Sequence, residues 1–189
     1  MRIITGIYKG RHFEIPRSFK ARPTTDFAKE NIFNVLNGLI DFEDATALDL
    51  FAGTGSISLE LVSRGCASVI SVEADRDHAA FIKQCMNKIG VDNNILIKGD
   101  VFRFVKSCRQ QFDFIFADPP YALDKIDAIP DLIFGKQLLK EGGIFVLEHG
   151  KKKMVKKLIK LVDGPLKLVI VILTQLLFMV MRNERAGLP

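Results

Sequence analysis

The four residues Asp118-Pro119-Pro120-Tyr121 follow a strand-like run and combine groups that could hold a planar amine. Proline has no backbone N–H, so the segment offers carbonyl acceptors beside the Asp118 carboxylate. A carboxylate and a rigid carbonyl can together accept both N–H groups of an exocyclic amine, and Tyr121 offers a face for an unstacked base. The alternative is a proline-rich turn without chemistry. We predict that these four residues are catalytic and act at an amine nitrogen.

A glycine-rich turn in residues 48–56 is the second candidate for chemistry. Gly53 and Gly55 permit a tight turn and a close approach of the backbone to a ligand. Glu73 lies 20 residues after Gly53, at the end of the next strand-like run, where a carboxylate can accept hydrogen bonds from ribose. A glycine-rich turn alone is a weak signal, but with Glu73 it predicts a nucleoside site. The neighbouring residues predicted to contact the same ligand are Phe51, Ala52, Thr54 and Ala74.

The residues around this turn favour S-adenosyl-L-methionine (AdoMet) over a dinucleotide. Ser58 stands where a dinucleotide-binding turn has its third glycine, and AdoMet needs no pyrophosphate cradle. Asp49, just before the turn, suits a cationic methionine moiety. Asp100, followed by Val101, could accept the adenine amino group after the third strand-like run. Asp100 is also a good N-cap for a helix, and both roles stay open.

Strand-like and helical patterns alternate along most of the chain. This alternation predicts βαβ units around a buried, mainly parallel sheet. The strand-like runs cover residues 45–51, 68–73, 95–98, 112–117 and 144–148, and the helical stretches lie near 56–64, 77–89, 101–109 and 126–135. Residues 2–6 and 11–15 are predicted to form a small hairpin, and Thr24-Thr25-Asp26 to cap a helix. Glu148, which ends the fifth run, either faces the site or caps the strand end.

We interpret the sequence as a basic N-terminal extension (1–25), an AdoMet-binding domain (26–150) and an atypical C-terminal segment (151–189), and charge is spread unevenly along it. The first 30 residues hold seven basic and three acidic residues, and the last 40 hold nine basic and two acidic. Basic ends favour a polyanionic partner, although basic tails also simply improve solubility. The apolar run 166–181 is a candidate for two closing strands; the alternatives are a reading-frame change near residues 151–153 and a membrane-associating tail.

Cysteine and histidine usage argues against secretion and against a metal site. Cys66, Cys85 and Cys108 are odd in number and far apart, which fits neither a disulfide framework nor a metal-binding pair. The three histidines have no ligand partners at suitable spacing. No secretory signal is recognisable at residues 1–4. We therefore expect a cytoplasmic protein without a membrane partner, and favour a monomer.

Taken together, these residues resemble the AdoMet-dependent amino-methyltransferases. They are similar in particular to the bacterial RsmD-type enzymes that methylate a guanine N2 in 16S ribosomal RNA. The resemblance covers about residues 1–150. Its shared segments are residues 1–6, 9–11, 22–26, 29–30, 33–36 and 48–55, together with Glu73 and residues 118–121. Residues 118–121 are also shared with DNA adenine-N6 methyltransferases. Lys29 departs from the family, which usually has arginine there.

The resemblance implies a Rossmann-like class I AdoMet-dependent methyltransferase, with a doubly wound, mainly parallel seven-stranded α/β sheet and a small N-terminal β-hairpin extension. Thr24 and Thr25 would help to hold the methionine end of AdoMet, and residues 118–121 would hold a flipped guanine. The partner would be 16S rRNA or an assembling small ribosomal subunit. A DNA adenine-N6 methyltransferase and a non-catalytic nucleotide-binding protein are the alternatives. The residues expected to contact RNA phosphates are Arg2, Lys9, Arg11 and Arg22.

Overall fold

The structure is a computed structural model that describes residues 1–19, 24–120, 122–148, 168–173 and 177–181, the last two as backbone only. The chain divides into two compact units, residues 1–101 and 102–189. Each unit contains parallel strands alternating with helices, which is a Rossmann-like α/β arrangement.

The first unit contains a three-stranded parallel sheet in the order β3-β2-β1. Its elements are α1 (Asp26–Leu36), β1 (Thr46–Leu50), α2 (Ser56–Ser63), β2 (Ser68–Glu73), α3 (Arg76–Ile89) and β3 (Asn94–Lys98). β1 and β2 are buried along nearly their whole length, as expected for strands covered on both faces. Every residue of α2 is buried as well, although three of them are serines and one is glutamate. These strands and helices agree with the predicted elements to within one or two residues.

The N-terminal residues pack against α2 in the first unit. In place of two strands, Arg2 and His12 form a single isolated antiparallel bridge. The Ile3 N–H donates to the Arg11 carbonyl at 3.0 Å, and Ile3 and Phe13 are buried. In the described residues the segment is therefore held by its two apolar side chains and by a short antiparallel backbone pairing, shorter than the two predicted strands.

The second unit contains parallel strands β4, β5 and β6, with β7 antiparallel to β6. Its elements are α4 (Val101–Ser107, which begins at the last residue of the first unit), β4 (Phe112–Ala117), α5 (Ala128–Gly135), β5 (Leu139–Glu148), β6 (Leu168–Leu173) and β7 (Leu177–Met181). β5 starts at Leu139, five residues earlier than the sequence predicts. Leu139 pairs with Phe112, and the register then shifts before Phe114 pairs with Ile144. Gly142, with φ +73°, lies in this irregularity and interrupts the strand-like spacing of apolar residues in the sequence.

β6 and β7 lie within the apolar run 166–181. The lysine-rich segment 151–167 lies outside the described residues, as do residues 20–23, Tyr121 and residues 149–150. Among the residues that the structure describes, no helix combines the length and apolar character needed to cross a membrane.

Candidate functional site

The glycine-rich turn connects β1 to α2 through a run of left-handed backbone conformations. Phe51, Gly53 and Gly55 have φ of +62°, +56° and +75°. The Ala52 N–H donates to the Val72 carbonyl at 3.0 Å, which fastens the turn to β2. A Cβ at Gly55 would lie 2.8 Å from Ile82 Cγ1 of α3. Gly55 is thus required both by its backbone conformation and by the close approach of α3.

Glu73 contacts the turn directly. Its Oε2 accepts from the Gly53 N–H at 2.7 Å, and its Oε1 accepts from the Asp75 N–H at 2.7 Å. The side chain is only 8% exposed. Each carboxylate oxygen has a further lone pair, so Glu73 can still accept hydrogen bonds from a ribose while it shapes the turn. The structure therefore brings together the two features from which the nucleoside site is predicted.

Asp49 belongs to a largely buried hydrogen-bond chain that connects it to two serines and an asparagine. Its Oδ2 accepts from the Ser58 hydroxyl at 2.5 Å, and Ser58 is 2.6 Å from the Ser71 hydroxyl. Asn94 Nδ2 donates to Ser71 at 2.7 Å, which extends the chain to β3. In the sequence, Ser58 is notable only as the residue in place of a third glycine. Its hydroxyl between the apolar residues Ile57 and Leu59 was the available signal that it bonds to a neighbour.

The other predicted cofactor residues lie at helix starts. Thr25 is the N-cap of α1, and its hydroxyl accepts from the Ala28 N–H at 3.1 Å, which confirms the predicted cap. Thr24 is half-buried beside it. Asp100 is exposed and precedes α4, whose first residue, Val101, is buried. Ala74 is exposed directly after Glu73.

Glu60 was not named by sequence reasoning, although it joins three segments of the first unit. It is fully buried and accepts from the N–H groups of Ile4 at 2.8 Å and Thr5 at 3.0 Å. Lys29, also buried, has its Nζ 3.8 Å from Glu60 Oε2 and 3.2 Å from the hydroxyl of Ser56, and it donates to the carbonyl of Arg2. Burial lowers the pKa of Lys29, and the charge of Glu60 opposes that shift.

The predicted RNA-contacting residues differ in how they are held. Arg2 lies 3.2 Å from Asp26 and 3.4 Å from Glu30, so its charge is already paired with α1. Lys9 and Arg11 are exposed. Arg22 lies outside the described residues.

In the second unit, Asp118 directly follows the last residue of β4. The side chain is half-buried, and burial raises its pKa to about 6. Pro119 is buried, whereas Pro120 is exposed and its carbonyl accepts from the Leu123 N–H at 2.9 Å. Tyr121 falls in a gap of the described chain. A half-buried carboxylate beside two prolines can accept hydrogen bonds from an amine.

Glu148 ends β5, next to the strand that leads to Asp118. Ala117 pairs with Leu147 in the parallel register, so the following residues of the two strands are Asp118 and Glu148. Burial, and secondly the charge of Asp118, raise the pKa of Glu148 to about 7. The two carboxyl groups therefore interact.

The described residues also form a pocket that no predicted site residue lines, and they contain no metal-binding group. This open pocket of about 560 Å³ in the first unit is lined by Thr5, Gly6, residues 37–42 and Arg64. Within the part of the chain that the structure describes, no three His, Cys, Asp or Glu side chains are grouped as metal ligands.

Residues 1–164 match a protein family described as Conserved hypothetical protein 95. The chain belongs to this family. The match extends beyond the 150 residues over which the sequence resembles RsmD-type enzymes, and past the lysines at 151–153.

Two relatives have names that refer to ribosomal RNA methylation. YlbH of Bacillus subtilis strain 168 is 34% identical over 156 residues, which cover 80% of this chain and 84% of YlbH. The Ribosomal RNA small subunit methyltransferase D of Escherichia coli K12 is 29% identical over 148 residues, covering 78% of this chain and 74% of the relative. The resemblance to the RsmD-type methyltransferases is thereby confirmed.

Solved structures with a similar fold include a methyltransferase. A hypothetical protein of Thermus thermophilus superposes with a TM-score of 0.71 at 27% identity, covering 79% of this chain and 86% of that one. The methyltransferase SMU.776, crystallised with S-adenosylhomocysteine (SAH), superposes with a TM-score of 0.58 at 26% identity, covering 72% of this chain and 41% of that one.

Proposed function

We propose that this protein is an AdoMet-dependent methyltransferase that methylates the exocyclic N2 amine of a guanine in 16S ribosomal RNA. Methyl transfer to ribosomal RNA and the use of AdoMet follow the family and the SAH-bound neighbour. The guanine N2 atom is what the RsmD resemblance implies. The observation in the chain that carries the proposal is Asp118-Pro119 at the end of β4, where a half-buried carboxylate precedes two residues that lack backbone N–H groups.

We assign cofactor binding to the first unit. Gly53 and Gly55 would allow the backbone to approach AdoMet, and Glu73 would accept from its ribose hydroxyls. Asp49 would contribute negative charge toward the methionine end, although its Oδ2 is engaged with Ser58. The remaining proposed contacts are Thr24, Thr25, Phe51, Ala52, Thr54, Ala74, Asp100 and Val101.

We assign the amine to the second unit. Asp118 would accept one N2–H, a proline-segment carbonyl would accept the other, and Tyr121 would stack on the base. This orientation would leave the nitrogen lone pair free to attack a methyl group. AdoMet supplies an electrophilic methyl group on a sulfonium ion.

Positioning dominates this reaction. The N–C bond forms as the S–C bond breaks, and the S–C electron pair stays on sulfur. The nitrogen becomes acidic only as the new bond forms, so Asp118 first orients the amine and then accepts the released proton or passes it to water. With its pKa raised to about 6, Asp118 is mainly ionised above pH 7 and can serve both purposes.

The finer features of the fold are part of the same proposal. The described residues contain three strands in the first unit and four in the second, the number in the seven-stranded sheet of class I methyltransferases. Residues 1–25, with their bridge between Arg2 and His12, would correspond to the hairpin extension. Lys9 and Arg11, both exposed, would contact RNA phosphates together with Arg2 and Arg22.

The test is a methyl-transfer assay with isotope-labelled AdoMet on 16S rRNA, small ribosomal subunits and DNA, followed by nucleoside analysis. We expect N2-methylguanosine from the ribosomal substrates. Asp118→Ala should lower the rate more than about 100-fold while AdoMet affinity, measured by calorimetry, is retained. Asp113→Asn is the matched control on β4, because Asp113 pairs with Lys140 at 2.7 Å and is far along the strand from Asp118. Full activity of Asp118→Ala, or label in DNA adenine alone, would contradict the proposal.

A further inference from the structure

The ends of β4 and β5 bring a second carboxyl group beside Asp118. Phe116 pairs with Val146 and Ala117 with Leu147 in parallel register. Neighbouring strands lie about 4.8 Å apart, and residues paired across them project to the same face of a sheet. One step further along both chains are Asp118 and Glu148, both half-buried.

The charges around this pair are not balanced by a cation in the described residues. Burial raises the pKa of Asp118, and burial together with the Asp118 charge raises that of Glu148. β6, on the other side of β5, contributes only apolar residue types. Tyr121 and His149, the titratable residues next to the pair along the chain, lie outside the described residues. Two interacting carboxyl groups at one place favour a ligand that offers two adjacent hydrogen-bond donors.

Asp113 and Lys140 show the contrast on the same two strands. Their side chains form a 2.7 Å ion pair toward the start of β4 and β5. The carboxylate there is neutralised by Lys140, whereas those at the strand ends have no cationic partner among the residues that the structure describes.

A guanine provides two such donors on one edge. Its N1–H lies next to its N2 amino group, so two acceptors side by side match it. Adenine places an acceptor, N1, beside its single amino group, and an ionised carboxylate opposite that atom is repelled. Hydrogen bonds between a charged acceptor and a donor are about twice as strong as neutral ones, which makes this a selective arrangement.

We propose that Glu148 accepts the N1–H of the target guanine while Asp118 accepts an N2–H, and that Glu148 thereby selects guanine over adenine-like bases. This inference rests on the proposed function and adds the residue that determines its base specificity. Guanine binding would favour the ionised form of Glu148, so the preference for guanine should strengthen as pH rises through 7.

The experiment first locates the methylated nucleotide with the wild-type protein. A synthetic 16S rRNA segment then carries 2,6-diaminopurine at that position alone. This base keeps the N2 amine but has an acceptor in place of N1–H. We expect wild-type kcat/KM to fall about 10- to 100-fold on the diaminopurine substrate, the effect of one charge-assisted hydrogen bond.

Glu148→Gln is the decisive variant, because its amide can accept from guanine N1–H or donate to diaminopurine N1. We expect its discrimination between the two substrates to fall below about 3-fold, with AdoMet affinity unchanged. Glu148→Asp, which keeps the charge, should retain the preference for guanine at a lower rate. Glu141→Gln on the exposed part of β5 is the matched control and should behave as wild type.

The possible failures are distinguishable. If the wild-type protein forms no N2-methylguanosine, the proposed function is wrong and the inference with it. If N2-methylguanosine is formed but Glu148→Gln discriminates as strongly as wild type, only the inference is wrong. Equal losses on both substrates would also overturn the inference, since they would indicate a structural role.

Discussion

Buried carboxylates in the two units differ in their partners. In the first unit, Glu60 is completely buried and accepts hydrogen bonds from two backbone N–H groups and from Arg64, with Lys29 nearby. In the second, Asp118 and Glu148 are half-buried, and in the described residues they have each other as electrostatic neighbours and no cationic partner. A fully compensated buried charge holds structure together, whereas an uncompensated one is available for a ligand.

The compensated site has a clear structural purpose. Glu60 belongs to α2, the helix that follows the glycine-rich turn, and it holds the backbone of residues 4–5. Arg64, which bonds to Glu60, also places its guanidinium 4.1 Å above the ring of Phe33 in α1. The N-terminal segment and α1 are thereby fixed to the helix that carries the turn.

Substitution of Glu60 should give the largest effect on stability. Glu60→Ala leaves Lys29 buried without a counter-charge and removes the acceptor of two backbone N–H groups. We expect the free energy of unfolding to fall by about 3–5 kcal/mol, measured by urea denaturation. Asp113→Asn provides the matched control, because its ion pair with Lys140 is partly exposed and should contribute less than about 1 kcal/mol. Similar losses in both variants would remove the distinction between the two kinds of carboxylate.

Alanine substitutions at two glycines with nearly the same backbone conformation can test the rigidity of the glycine-rich turn. Gly55 and Gly90 have φ of +75° and +74°, so alanine is strained at both. A Cβ at Gly55 would meet Ile82 at 2.8 Å, whereas nothing lies within 4 Å of a Cβ at Gly90. We expect Gly90→Ala to cost about 1 kcal/mol and Gly55→Ala about 1–2 kcal/mol more, because only the latter also forces α3 to shift.

AdoMet affinity gives the second measurement for this pair. Gly55→Ala should weaken binding in calorimetry, and Gly90→Ala should not. Equal stability and equal affinity in the two variants would show that the contact with Ile82 is unimportant and that the turn is less constrained than its geometry indicates.

Local signals explain which parts of the site could be predicted from sequence. Gly53, Gly55 and Glu73 belong to a strand–turn–helix–strand pattern whose parts lie within about 20 residues, and the structure joins them by a 2.7 Å hydrogen bond. The role of Glu60 could not be predicted, because its backbone partners are 55 and 56 residues away in the chain. Lys29, read only as a departure from the family, is buried for the same non-local reason.

The fold also contains elements that local sequence patterns predict and elements that they do not. Strands and helices with regular apolar spacing were predicted to within a few residues. The start of β5 was not, because residues 139–143 contain two exposed polar or glycine positions and a register shift that break the strand pattern. The N-terminal pairing is shorter than the two predicted strands: Ile3 and Phe13 are anchored in the core, and the backbone hydrogen bonds join Ile3 to Arg11 and Met1 to Phe13 around a single bridge.

The carboxyl groups of Asp118 and Glu148 should also affect the pH dependence of stability. This effect should be smaller than those of the Glu60 and Gly55 substitutions. The pKa values of Asp118 and Glu148 are raised, to about 6 and about 7, so the folded state binds more protons than the unfolded state between roughly pH 4 and 7. The free energy of unfolding should therefore decrease as pH rises through this range. Asp75 acts in the opposite sense, since hydrogen bonds from the His78 and Asp77 N–H groups lower its pKa, and its contribution is lost only as pH falls toward acid.

The double variant Asp118→Asn/Glu148→Gln separates these contributions. Relative to the wild-type protein, it should gain about 1–2 kcal/mol in urea unfolding between pH 5 and pH 8, a value reduced for the partial exposure of both groups. Asp75 is unchanged in both proteins, so its titration cancels from the difference. A difference that does not vary with pH would mean that solvent or a cation neutralises the pair, and Glu148 would then lose its distinction from Glu60. A difference that grows with pH would mean that the two carboxyl groups reduce the stability of the fold, the cost expected of acceptors kept unpaired for a substrate.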